Sequence, residues 1–195
     1  GIEDIVVFAA LPGGEDGQAE RLGPAHQADQ QRGLVAFDAM HGASEFLGTI
    51  RARELPGTMV PPHRHPVDEH ITVVQGTWYF AVGDTWDPAR LQALTPGTYA
   101  FAPAGSTMYG SSPDGAVVQV HGIGPFHLRW KNGLVTLDDP DGPAGFRYRK
   151  GDRVQTPRGA GVVRQGYRSG DIIQYEIAGG SGARFMADEA DVRRS

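Results

Sequence analysis

Pro61, Pro62 and Pro66 stand in the middle of the stretch Gly57 to Gly76, GTMVPPHRHPVDEHITVVQG. Each proline locks φ at about −65° and lacks a backbone N–H, so no helix runs through this segment and its residues must be read on strand or loop backbone. On extended chain the side-chain period is two, which sets His63 and His65 on one face. Glu69 keeps that parity and converges on the same point if the strand bends slightly after Pro66. Two imidazoles and a carboxylate from one short segment form the ligand set of an open divalent-metal site. Fe(II), Mn, Zn, Ni and Co all suit that set.

The spacing carries more than the residue types. Gly57, five residues, His63-x-His65, three residues, Glu69, six residues and Gly76 resemble the first motif of the cupin family, G(x)5HxH(x)3-4E(x)6G. Gly97 to Gly110, GTYAFAPAGSTMYG, resembles the second, G(x)5PxG(x)2H(x)3N, through Gly97, Pro103 and Gly105. The resemblance implies a double-stranded β-helix, or jelly roll, over residues 1–140, a metal ion at the histidine motif and pairing into homodimers. The chain departs from the family at the fourth ligand, where Met108 replaces histidine, and at the closing Asn, where Ser112 stands. A thioether is too soft for hard ions held by carboxylate.

Two functions stay open after that substitution. In one, His63, His65 and Glu69 still hold one divalent ion per chain, of iron, manganese, zinc or nickel, for an enzyme of the oxygenase type acting on a small organic substrate. In the other, the barrel is a non-catalytic ligand-binding or sensor module. Pocket candidates come from alternation. In AVVQVHGIGPF, Gln119 and His121 share a face opposite Val118 and Val120, and both orientations of that face are open. Met108, Trp78, Tyr99 and Tyr109 supply an apolar wall if they point inward, and ordinary core if they do not. His70 has the opposite parity to the ligand set and is expected outside. His26, His41 and His127 have no partners in sequence.

Charge divides the chain. Residues 1–145 carry 8 Lys/Arg against 17 Asp/Glu, a net of −9, whereas 146–195 carry 10 against 6, a net of +4. The change follows the Asp/Pro/Gly run Asp138 to Gly145, which reads as a connection. Beyond it, Arg153–Thr156, Gly161–Gln165, Asp171–Ile177 and Ala183–Ala187 read as short strands between turns. The opening GDRVQTPRGAGVV resembles SH3-like modules of the Tudor or KOW kind. A small β-barrel over 146–195 is therefore expected, and an all-β protein overall. Its basic residues are mixed with acidic ones and few aromatics, which argues for packing or protein contact rather than nucleic-acid reading.

Upstream of the motif, Ile5–Ala9 and Leu34–Met40 read as strands, and the apolar edge Ile5 to Phe8 suits a dimer exchange. Glu45 to Leu55 alternates, with Ala52 facing opposite Arg51 and Arg53. Asp87 before Pro88 reads as the N-cap of a short helical insert. The chain has no Cys, so thiolate ligands and disulfides are excluded. No run is apolar and long enough to span a bilayer, and a soluble protein is expected, either cytoplasmic or processed and exported.

Overall fold

The computed structural model describes residues 47–123, 128–140 and 144–195. Among the described residues the first nine strands are β1 (Leu47–Glu54), β2 (Thr58–Arg64), β3 (Glu69–Gly76), β4 (Trp78–Val82), β5 (Gln92–Leu94), β6 (Tyr99–Ala102), β7 (Thr107–Ser112), β8 (Ala116–Ile123) and β9 (Arg129–Trp130). They form two antiparallel sheets, ordered β1-β8-β3-β6 and β5-β4-β7-β2-β9. Neighbours distant in sequence alternate between the sheets, which is the winding of a double-stranded β-helix. The strands expected over Ile5–Ala9 and Leu34–Met40, and with them the dimer edge, lie outside the described residues.

Period-two burial explains why these segments are strands. Along β3, Glu69, Ile71 and Val73 are buried while His70 and Thr72 are half-buried. Along β8, Val118 and Val120 point inward and Gln119 and His121 outward. Ala52, Val60, Ile71, Val73, Trp78, Phe80, Ala100, Ala102, Met108, Val118 and Val120 fill the space between the sheets. Asp87 caps a single 3-10 turn, Pro88–Arg90, and its side chain accepts from the Ala89 N–H, as the sequence leads one to expect.

Six further strands follow: β10 (Val135–Thr136), β11 (Arg153–Thr156), β12 (Gly159–Ser169), β13 (Ile172–Gly179), β14 (Arg184–Asp188) and β15 (Arg193–Arg194). Their sheet runs β14-β13-β12-β11-β15, with β10 on β12. Val154, Val163, Tyr175, Ile177 and Phe185 form its core, together with Leu137, Phe146 and Tyr148. Val135 and Leu137 therefore pack with the C-terminal strands although they precede the acidic connection. Asp138 within that connection is tied to Lys150 and Gln165.

The C-terminal sheet grips the start of β2. The buried Gln174 amide accepts from Met59 N–H at 2.8 Å and donates to the Gly57 carbonyl at 2.9 Å. Met186 N–H donates to the Pro56 carbonyl at 2.7 Å. On the side of β2 where β9 pairs, that strand reaches only His63 and Arg64, so Gln174 supplies partners for backbone that no strand serves there. Tyr167 and Met186 complete the contact by joining the core of the first two sheets. A cleft of about 550 Å³ opens along this contact, lined in part by Met59, Trp86, Leu91, Arg158 and Met186.

A second cleft, of about 420 Å³, lies where β1, β3 and β8 meet near Glu54, Gly76 and Ala116. Glu54 is buried there, its Oε2 takes no hydrogen bond, and burial raises its pKa to about 7. A raised carboxylate pKa favours the folded state fully below the unfolded value near 4.5, and that contribution is lost as pH rises through about 7. Urea unfolding of the parent and of Glu54→Gln should therefore diverge by about 3 kcal/mol between pH 4.5 and pH 8, in favour of the variant at the higher pH. A difference independent of pH would show that Glu54 does not titrate in this window.

Candidate metal centre

The two prolines of the motif do more than exclude helix. β2 pairs β7 with Val60 opposite Gly110 and His63 opposite Met108, so two residues on β2 face one, Tyr109, on β7. Pro61 and Pro62 occupy that bulge, where missing N–H groups cost the ladder nothing. The extra residue reverses the parity of the strand. Val60 and His63 thus both end up buried, although strict alternation would send one of them outside.

The bulge also sets the state of His63. Its Nδ1 lies 2.8 Å from the Pro61 carbonyl, an acceptor, so Nδ1 carries the proton and Nε2 keeps its lone pair. Burial lowers the His63 pKa to about 4, partly offset by the Pro61 bond, and the ring is neutral at pH 7. The Trp130 indole stands beside it with centroids 5.4 Å apart.

His65 follows the end of β2 and is fully buried. The two motifs are tied together at this point. Gly105 N–H donates to the His65 carbonyl at 2.8 Å, and Ala104 N–H donates to Asp68 Oδ1 at 2.8 Å. Gly105 adopts φ +77°, which explains why a glycine closes the Pro-x-Gly turn. The loop from His65 to Asp68 is thereby held, and Glu69 enters β3 opposite Ala102 with its side chain inward.

His65 Nε2 lies 3.5 Å from Glu69 Oε2, and the His63 and His65 rings meet edge to face with centroids 5.2 Å apart. Glu69 Oε2 takes no hydrogen bond, and burial raises the Glu69 pKa to about 8. Among the described residues no group of three or more His, Asp or Glu side chains is placed to hold a metal ion as it stands. The donor chemistry nevertheless fits a divalent ion: a neutral imidazole with its outer nitrogen fixed, a second imidazole one ring away, and a desolvated carboxylate that a cation would stabilise as the anion.

The pocket candidates separate. Met108 is buried in β7 directly opposite His63, between it and Val82 across the same sheet. Trp78 is also inward, but it lies four residues along β4 from Val82, about 13 Å. Tyr109 turns to the other face of its sheet, where it meets Trp86 at 5.3 Å and donates to the Asp87 carbonyl. Gln119, His121 and Tyr99 occupy the outer face of β1-β8-β3-β6, across the sheet from Glu69. Gln119 holds Arg51 through Nε and Nη2, and Tyr99 is half exposed. Trp130, which no local pattern in the sequence singles out, is the ring that does reach His63.

No protein-family model matches the chain, and no curated protein matches it significantly. Solved structures similar to it include a cupin-superfamily sugar phosphate isomerase from Silicibacter pomeroyi, at 17% identity over 97% of this chain and 88% of that one, with a TM-score of 0.34. A double-stranded β-helix protein from Klebsiella pneumoniae is 22% identical over 44% of this chain and 76% of that one, with a TM-score of 0.37. A DMSP lyase from Ruegeria pomeroyi is 24% identical over 43% of this chain and 41% of that one, with a TM-score of 0.37. The match thus spans about two fifths of that lyase's length. Among the described residues no helix is long and apolar enough to cross a membrane. By the winding of its first nine strands, this is an all-β protein with the double-stranded β-helix of the cupin fold.

Proposed function

We propose that the protein is a metal-binding cupin that acts on a small organic substrate, with His63, His65 and Glu69 holding one divalent ion. The observation that carries this reading is the buried Glu69 carboxylate, whose Oε2 lacks a hydrogen bond beside His65. An isolated buried carboxylate is costly unless a proton or a cation joins it. Bound there, the ion would supply Lewis-acid or redox chemistry, and oxygenation is the reaction class this reading favours. The chain's own contributions are distinct. Pro61 fixes the His63 tautomer, Gly105 and Asp68 hold the His65–Glu69 loop, and Met108 and Trp130 make the neighbouring wall apolar.

A non-catalytic binding barrel is the second reading, and Met108 favours it. The side chain opposite His63 is fully buried and brings no hard donor to the ion. In both readings residues 146–195, joined by Val135 and Leu137 and packed on the start of β2, form a small barrel of SH3-like kind that serves as a packing or interaction module rather than a reader of nucleic acid. The short antiparallel strands around Val154, Tyr175 and Ile177 support this. Pairing into homodimers belongs to the same proposal.

Metal analysis of the untagged protein separates the two readings. Near-stoichiometric iron, manganese, zinc or nickel per chain is expected, followed by an oxygen-uptake screen. A chain that takes up none of these ions, even after soaking with each, leaves only the binding barrel.

A further inference from the structure

Glu54 closes β1 at the end of the barrel away from the histidines. β2 starts near this end at Thr58 and reaches His63 roughly 15 Å along the strand. Glu54 shares its face of β1 with buried Ala52, while Arg51 and Arg53 on the other face are exposed, so its side chain points inward. Its row across the sheet continues through Ala116 to Gly76, two residues too small to cover a carboxylate. On the other sheet, the inward residues at this end are Thr58 and Ser112, both uncharged. The connections β1–β2, β3–β4 and β7–β8 frame the cleft of about 420 Å³, and Glu54 lines it while only 3% exposed. Its Oε2 has no hydrogen-bond partner. Among the described residues no Lys or Arg is buried to serve as its counter-ion. Arg158, at the rim, donates to the Pro113 carbonyl and pairs with Asp114.

We propose that this cleft is a ligand site for a primary ammonium group on a short apolar chain, with Glu54 as its anionic anchor. An ionised carboxylate held away from water is costly unless a charged donor joins it. A primary ammonium brings both the charge and the N–H groups, whereas a quaternary ammonium brings no donor. A calcium ion takes six to eight oxygen ligands, and a single carboxylate does not supply them. The remaining walls set the body of the ligand: Leu55, Pro56, Pro113 and Val117 are apolar, and Tyr79 stands with them. Clefts that take small molecules enclose about 300–1,000 Å³, and this one falls in that range. Burial keeps a proton on Glu54 up to about pH 7, so an amine meets the anion at pH 8. The site stands apart from the inner histidines and does not rest on the metal reading.

Calorimetric titration of the full chain at pH 8 with n-butylammonium chloride, set against n-butanol as the neutral counterpart, tests the site. The parent should bind the amine at least about tenfold more tightly than the alcohol, and Glu54→Gln should bind the two alike. The variant is expected to stay folded at this pH, because it removes a buried anion and keeps the shape of the side chain. Backbone amide shifts in nitrogen-15 spectra place the ligand: movement is expected at residues 75–77 and 114–117, which border the cleft. Equal affinity of the parent for amine and alcohol would mean that the cleft holds only water, and would overturn the proposal. An amine preference that persists in Glu54→Gln overturns it as well. Shifts centred on the His65–Glu69 loop would assign the amine to the other buried carboxylate and are the third refuting outcome. Loss of metal from the His63→Ala/His65→Ala protein bears on the inner site alone.

Discussion

Replacing His63 and His65 together by alanine is expected to strip the protein of its iron, manganese, zinc or nickel, from near one ion per chain to background. The two rings are the nitrogen donors of the proposed site, and one of them, His63, is pre-set by the Pro61 carbonyl so that Nε2 faces outward from that bond. Glu69 alone cannot hold a divalent ion in competition with water, and without the ion its burial favours the protonated acid. A thermal readout accompanies the analytical one. A ligand at 100 times its Kd stabilises the folded state by about 2.7 kcal/mol, so adding metal should raise the Tm of the parent and leave that of the double variant unchanged. Equal metal content in the two proteins would sink the inner site.

Gly57→Val should be strongly damaging. Gly57 adopts φ +86°, which costs a residue with a side chain about 1–2 kcal/mol. A Cβ there would also overlap the Met186 carbonyl oxygen, a backbone atom of β14, whose other edge is paired with β13 so that it cannot easily swing aside. The C-terminal sheet must then lift from β2, which gives up the Gln174 hydrogen bonds and the packing of Met186. A loss of about 4 kcal/mol or more is expected, and a fall in Tm of roughly 10 °C or more. Gly97 is the control. It has the same φ of +86° but open space around its Cβ, so Gly97→Val isolates the backbone penalty. Should the two variants melt together, the contact between Gly57 and Met186 contributes nothing.

Much of this molecule is written locally. Helix exclusion by Pro61, Pro62 and Pro66, the His63-x-His65…Glu69 spacing, the Asp87 cap and the short C-terminal strands all depend on neighbours in sequence. Arg153–Thr156 appears as expected, and Ala52 is buried between exposed Arg51 and Arg53. The relation between Gln119 and His121 was legible as well, since both share a face. Which face could not be read, because polar residues alternating with valine look the same on either side of a barrel wall. Long-range partners decide it: Arg51 for Gln119, and His70 for His121. The bulge at Pro61 and Pro62 was equally hidden, since it exists only as a register between β2 and β7. The role of Gly57 was half visible. Its place in a motif was plain, but the backbone oxygen that fills the space over it comes from Met186, far along the chain.

Gln174 lies 115 residues after Met59. On a ribosome adding about 5–20 residues each second, roughly 6 to 23 s pass between synthesis of the strand that carries His63 and synthesis of the side chain that anchors its start. Throughout that interval the Met59 N–H and the Gly57 carbonyl have only water for partners on that side. The start of β2 is therefore completed from the far end of the chain, long after the partners of the His65–Glu69 loop, Ala104 and Gly105, have been made.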